Sequence, residues 1–378
     1  YTEYDMANRV EKASVQLMGF GKTDVLKANG GTETLTISLD LHHLASYDYT
    51  KAKTYIMEKG DYYFATGNGA HDALNNILAA KGKTVADGKI VAVCEMGTYG
   101  RVVSYAVRPD GGLSPLDLLE IPGTSKLSYT VAAPDGRHVY VSSMGDGTVR
   151  MIRVDPDGKL TLTDEWKLTG HGVTPRQSQA KVHSVMISPD GRLLAAANLG
   201  ADEVELFRVD EEKETLRLVD SRPVDLCREP RHMAFSPKGD WLYVLTEGGN
   251  RLYVFSVKEE RLREHAAYNV LDPDGEQKGA AADIVIRGDG SLIYTTNRGQ
   301  HNIAVWRVLQ SGLLDRVGCF DCGGKGPRGL HLSPDGKTLF SANNDDGTVT
   351  VLPLDENGFP GAPVQILEVP GAGCVRSV

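Results

Sequence analysis

From residue 89 onward, apolar and polar residues alternate in short runs separated by turn-forming residues. Five runs share one shape: RHVYVSS, RLLAAANLG, DWLYVLTEG, SLIYTTNRG and KTLFSANNDD. Each is followed by a second run, TVRMIRVD, EVELFRVD, RLYVFSVK, NIAVWRVL or TVTVLPLD, and preceded by another, YTVAA, HSVMIS, RHMAFS, ADIVIR or GLHLS. A period of two predicts strands with one face buried. The turn before each main run is Pro134-Asp135-Gly136, Pro189-Asp190-Gly191, Pro237-Lys238-Gly239, Gly288-Asp289-Gly290 or Pro334-Asp335-Gly336. Proline presets φ and glycine supplies φ > 0, which a tight connection between antiparallel strands needs. The turns recur about every fifty residues, and four short antiparallel strands per such unit make a propeller blade.

The ends of this array are irregular. Residues 89–123 read as the second, third and fourth strands of a blade, and GAGCVRSV (371–378) reads as a first strand with nothing after it. Joining the two in one composite blade predicts six blades and hides the sheet edges.

Equivalent positions in the repeat carry the chemistry. Eight residues before the turn glycines stand Ser128, His183, Arg231, Ala282 and Arg328; eight after stand Met144, Leu199, Glu247, Arg298 and Asn344. The start of a first strand and the end of a second share a face, and first strands line the central channel. His183, Arg231, Arg328, Glu247 and Arg298 are therefore expected at one channel mouth. Guanidinium groups bind carboxylate or phosphate oxygens bidentately, and a histidine can act as general base on water. His232 is expected to point to the opposite side of its strand from Arg231.

Composition narrows the function classes. The 42 glycines among 378 residues fit a turn-rich chain. A net charge of −9, without a basic stripe, argues against nucleic acid as a partner. No apolar stretch approaches a membrane span, and residues 1–20 lack the pattern of an export signal. The five scattered cysteines (Cys94, Cys227, Cys319, Cys322, Cys374) fit free thiols in a reducing, cytoplasmic setting. Cys319 and Cys322 have CxxC spacing but no second pair, so a zinc or redox centre is not expected. No histidine spacing calls for a metal, and no cofactor is expected.

The series RQSQAKVHSVMISPDGRLLAAANLG, EPRHMAFSPKGDWLYVLTEG, ADIVIRGDGSLIYTTNRG and GKGPRGLHLSPDGKTLFSANND resembles the lactonase family of seven-bladed propellers that includes 6-phosphogluconolactonase. The resemblance covers residues 89–378, about six of the seven blades. It implies hydrolysis of an anionic sugar-acid or muconate-like lactone, a small-molecule partner, with His183 as catalytic base and Arg231, Glu247 and Arg298 in the active-site cluster. Arg328, Arg176, Ser128 and Asn344 are the expected further substrate contacts. Ala180 and Lys181 stand where the family often has Pro and His.

Residues 1–88 are similar to the fibronectin-type-III-like C-terminal domain of family 3 glycoside hydrolases, with strands visible in TETLTISLDL (32–41) and GDYYFATG (60–67) and a helical or extended tail in AHDALNNILAAKG. The fold expected is all-β: a partial fibronectin-III-like sandwich (1–88) followed by a lactonase-type β-propeller (89–378). Tyr1 in place of Met and the abrupt join near residue 88 point to a chimeric or truncated reading frame, with a true fusion as the alternative. The competing functional readings are a non-catalytic propeller that binds an anionic ligand, and a β-glucosidase remnant without glycosidase activity.

Overall fold

A computed structural model describes residues 45–48, 53–56, 89–96, 99–108, 112–277 and 279–376. The chain divides into two units, Tyr1–Gly88 and Lys89–Val378. In the first, β1 (Ser46–Asp48) and β2 (Thr54–Ile56) pair antiparallel, with Tyr47 opposite Tyr55. The strands expected at 32–41 and 60–67, and the tail after them, lie outside the described residues.

The second unit is a six-bladed propeller. Its first blade has three described strands, β3 (Lys89–Met96), β4 (Tyr99–Val107) and β5 (Leu113–Pro122). The second comprises β6 (Leu127–Ala132), β7 (His138–Ser143), β8 (Thr148–Val154) and β9 (Leu160–Lys167). The third comprises β10 (Val182–Ile187), β11 (Leu193–Asn198), β12 (Glu203–Asp210) and β13 (Thr215–Pro223). The fourth comprises β14 (Pro230–Phe235), β15 (Trp241–Thr246), β16 (Arg251–Lys258) and β17 (Arg261–Asn269). The fifth comprises β18 (Ala281–Ile286), β19 (Leu292–Asn297), β20 (Asn302–Val308) and β21 (Leu314–Asp321). The sixth comprises β22 (Pro327–Leu332), β23 (Thr338–Asn343), β24 (Thr348–Pro353) and β25 (Gln365–Glu368). Every four-stranded sheet keeps sequence order, so each blade is a plain antiparallel meander.

The turns behave as their residues require. Gly136, Gly191, Gly239, Gly290 and Gly336 all have φ between +67° and +75°. Where the turn carries aspartate, that side chain accepts a backbone N–H two residues on: Asp135 from Arg137 at 2.7 Å and Asp335 from Lys337 at 3.0 Å. The core lies between successive sheets. Ala195, Ala197, Val204 and Leu206 of the third blade pack against Met233, Phe235, Leu242 and Val244 of the fourth. Small alanines on one sheet let the aromatic and branched side chains of the next interdigitate at sheet-packing distance.

One irregularity repeats. Each first strand breaks register with its neighbour near its start: between Leu127 and Tyr129, Val182 and Ser184, Pro230 and His232, Ala281 and Ile284, and Pro327 and Gly329. The residues skipped are Ser128, His183, Arg231, Ala282 with Asp283, and Arg328. A β-bulge kinks the strand and re-aims its side chains, so the bulges coincide with the ring of chemically rich positions.

The C-terminal segment differs from expectation. Residues 371–376 form no strand, and the first blade has three strands among the described residues. The segment still reaches two first strands: Arg376 Nη1 donates to the Leu330 carbonyl of β22 at 3.1 Å, and its Nη2 donates to the Tyr129 hydroxyl of β6 at 3.2 Å. Pro370, Gly371 and Gly373 offer little to a ladder, and the backbone at Cys374 instead crosses closely over Gly329.

Candidate active site

The bulges of β10 and β14 bring His183, Arg231 and His232 together. His183 is 6% exposed, Arg231 2% and His232 8%. Two of these are neighbours in sequence, which strict alternation would send to opposite faces. His232 was expected to point away from Arg231, and the structure corrects this: its ring lies edge-on to His183 at 5.1 Å between centroids and edge-on to Tyr129 at 5.0 Å. The physical reason is the break in register at Arg231.

A hydrogen-bond chain runs through the group. Arg231 Nε donates to Glu247 Oε2 at 2.9 Å, and Nη1 donates both to His232 Nε2 at 3.0 Å and to the Ala282 carbonyl. His232 Nδ1 then donates to Asp283 Oδ1 at 2.6 Å. Glu247 gathers two more cations: Arg176 Nη2 donates to its Oε1 at 2.8 Å, and Arg298 Nη2 forms a 3.1 Å ion pair without hydrogen-bond alignment. Arg298 is anchored through Nε to the Ala280 carbonyl at 3.1 Å.

Arg176 arrives on a short 3-10 turn, Pro175–Gln177, in the connection between β9 and β10. Its Nη1 binds Glu229 Oε2 at 2.8 Å. Glu229 sits at φ +55°, held there by its own N–H bond to the buried Asp202 carboxylate at 2.7 Å. Lys181 donates through Nζ to the Arg176 carbonyl and so braces the same turn.

Charge and burial set the protonation states. Burial would raise the Glu247 carboxyl, but Arg298, Arg231 and Arg176 outweigh it and hold the group near 2. Burial lowers the Arg231 guanidinium to about 10. Burial and then Arg231 bring His232 down to about 4 against the pull of Asp283. His183 is pushed well below 6.5 by burial, Arg231, His232, Arg328 and Arg176. It is therefore a neutral imidazole at pH 7, and its buried Nδ1 has no partner among the described residues.

The remaining expected residues divide. Arg328 is near enough to depress His183 and has no ion pair among the described residues. Ser128 Oγ donates to the Val182 carbonyl at 2.8 Å, tying β6 to β10 beside His183. Asn344 follows β23, with its backbone N–H on the Gly326 carbonyl at 2.9 Å, and no hydrogen bond among the described residues joins it to the cluster. The residues that sequence reasoning missed are Asp283, Glu229, Tyr129 and Arg376. Asp283 had a signal, since it follows Ala282 as His232 follows Arg231 in the same register.

No group of metal-ligating side chains occurs among the described residues, and no described helix is long and apolar enough to cross a membrane. The described cysteines Cys227, Cys319, Cys322 and Cys374 are free thiols, and burial raises the Cys322 thiol to about 12.

Comparison with known proteins places the chain. A family model for a fibronectin type III-like domain matches residues 1–70. A 6-phosphogluconolactonase of Bacillus subtilis is 27% identical over 283 residues, covering 73% of this chain and 80% of that protein. A 6-phosphogluconolactonase of Formosa agariphila is 25% identical over 269 residues, covering 69% and 76%. Among solved structures, the periplasmic gluconolactonase of Pseudomonas aeruginosa is 28% identical with a TM-score of 0.69, covering 75% of this chain and 83% of that one. The family model described as lactonase, seven-bladed β-propeller matches residues 84–377, and with six blades among the described residues the chain belongs to that family.

Proposed function

We propose that the chain hydrolyses a sugar-acid lactone carrying an anionic group, with 6-phosphoglucono-lactone as the model substrate. One observation carries the reading: a neutral His183, whose buried Nδ1 has no hydrogen-bond partner among the described residues, stands among Arg231, Arg328 and Arg176. His183 accepts a proton from water as the oxygen attacks the lactone carbonyl. Arg231 and Arg298 stabilise the tetrahedral oxyanion, and Arg328, with Arg176, binds the substrate's anionic group. Collapse of the intermediate breaks the ring C–O bond, and the leaving alkoxide takes the proton back from His183. The product is the open hydroxy acid.

The depressed basicity of His183 is compatible with this role. Its imidazolium is disfavoured mainly by burial and by neighbouring cations, and a bound anion followed by an oxyanion offsets those cations during reaction. Glu247 positions the arginines, while Ser128 and Asn344 complete the polar rim. A cytoplasmic setting, read from the odd and scattered cysteines, belongs to the same proposal and is checked by cell fractionation.

The test is hydrolysis of 6-phosphoglucono-lactone against neutral glucono-lactone by wild type and His183→Ala. A loss of about 10²-fold or more in kcat is expected for removal of the general base. Retained turnover would favour the binding-module reading, for which the uncompensated Arg328 also speaks.

A further inference from the structure

The contacts that fix Arg231 begin one blade away. Asp283, on β18 and 3% exposed, accepts the His232 Nδ1–H at 2.6 Å, the backbone N–H of Leu330 at 2.8 Å and that of Ile284 at 2.9 Å. Its oxygens are thus engaged inside the protein, on two neighbouring blades. Burial would raise this carboxyl, but His232 and Arg376 hold it down, so it stays charged.

His232 relays that constraint. A guanidinium can only donate, so the 3.0 Å contact from Arg231 Nη1 requires a lone pair on His232 Nε2 and places the ring proton on Nδ1, facing Asp283. The groups around this ring are Tyr129, His183, Arg231, Asp283 and Arg376. On the other side, Arg231 has Nε on Glu247 and Nη1 on His232 and the Ala282 carbonyl. Only Nη2 has no hydrogen-bond partner among the described residues.

We propose that His232 and Asp283 are positioning residues of this site: they lock the Arg231 guanidinium so that its Nη2 edge meets the oxyanion that forms on the lactone carbonyl. The function of the lock rests on the lactonase reading; its geometry does not. A buried acceptor for Nη1 matters because a misplacement of about 1 Å in a positioning group costs about 10²-fold in rate.

The experiment compares His232→Leu, which removes the acceptor, with His232→Gln, whose amide oxygen can restore it at the Nε2 position. With 6-phosphoglucono-lactone, His232→Leu is expected to lower kcat about 10²-fold with KM changed less than about threefold. His232→Gln is expected to stay within about tenfold of wild type. In protein labelled with 15N-arginine, the Arg231 Nη1–H signal, identified by its loss in Arg231→Lys, should be sharp in wild type and His232→Gln and lost to solvent exchange in His232→Leu. Asp283→Asn serves as the second variant should His232→Leu fail to fold, and should weaken the same signal. Equal kcat in wild type and His232→Leu, equal losses in the Leu and Gln variants, or an Arg231 signal indifferent to His232 would each overturn the proposal. If wild type itself does not turn over the lactone, the lactonase reading fails alone, and the arginine signal still decides whether the lock exists.

Discussion

Arg231 and His232, consecutive residues of β14, turn to the same side of their strand and are joined by a hydrogen bond from Nη1 to Nε2 of 3.0 Å. The bulge at Arg231 makes this possible. It converts a repeat position into a paired one, so that a single blade supplies both a buried guanidinium and the ring that holds it.

In the proposed mechanism the neutral state of His183 sets the pH dependence of turnover. Its pKa is driven down by burial first and then by Arg231, His232, Arg328 and Arg176. A base loses activity as pH falls through its own pKa, so the acid limb of kcat/KM should lie below pH 6.5, with a level region from there to pH 8. A limb centred at or above 6.5 would show that His183 is not the titrating base.

Arg328 lowers the His183 pKa and has no ion pair among the described residues. Arg328→Met should raise KM for a phosphorylated lactone about 10- to 100-fold, the loss of one charge-assisted contact. The acid limb should move to higher pH in the same variant, while urea midpoints change little. Kinetics at several pH values test both effects in one experiment.

Glu247 holds Arg231 at 2.9 Å, Arg176 at 2.8 Å and Arg298 at 3.1 Å. Glu247→Gln leaves three guanidiniums facing one another without their shared anion. Breaking a buried pair from one side costs about 3–5 kcal/mol, and because Arg176 is 45% exposed its share falls at the low end. Urea denaturation should show a loss of several kcal/mol, partly recovered by added phosphate.

Stability should fall on acidification in two stages. The folded-state pKa of His232 is about 4 against 6.5, so between those values the unfolded chain binds more protons and stability drops as pH falls. The shift corresponds to about 3 kcal/mol. Glu247 and Asp283, each near 2 when folded, contribute stability above their unfolded pKa values that is lost as pH descends from about 4 toward 2. Urea titrations at pH 7, 5 and 3 should resolve both stages, and His232→Gln should reduce the first, leaving the share of His183, whose pKa is also lowered.

Gly288 occupies the place that proline holds in the other four turns, and its N–H makes no backbone hydrogen bond among the described residues. An added Cβ would meet nothing within 4 Å. Gly288→Pro should therefore stabilise the fold by about 0.4–1 kcal/mol through the unfolded chain. Gly136→Ala has the same open space but φ +67°, and should cost about 1 kcal/mol. Thermal melts of the two variants should move in opposite directions.

The alternating runs and the Pro-Asp-Gly phrases determined the blades, their order and the registers at which chemistry recurs, because strand periodicity and turn stereochemistry are local properties of the chain. Counting from the turn glycines therefore reached His183, Arg231, Glu247, Arg298 and Arg328. Local patterning could not reveal that each of these first strands breaks register near its start, since a bulge has no composition of its own and strict alternation sends His232 away from Arg231. Nor could it pair His232 with Asp283, 51 residues on, or Arg376 with Tyr129, 247 residues apart. Those contacts depend on how far each blade rotates about the channel, which only the packing of one sheet on the next decides.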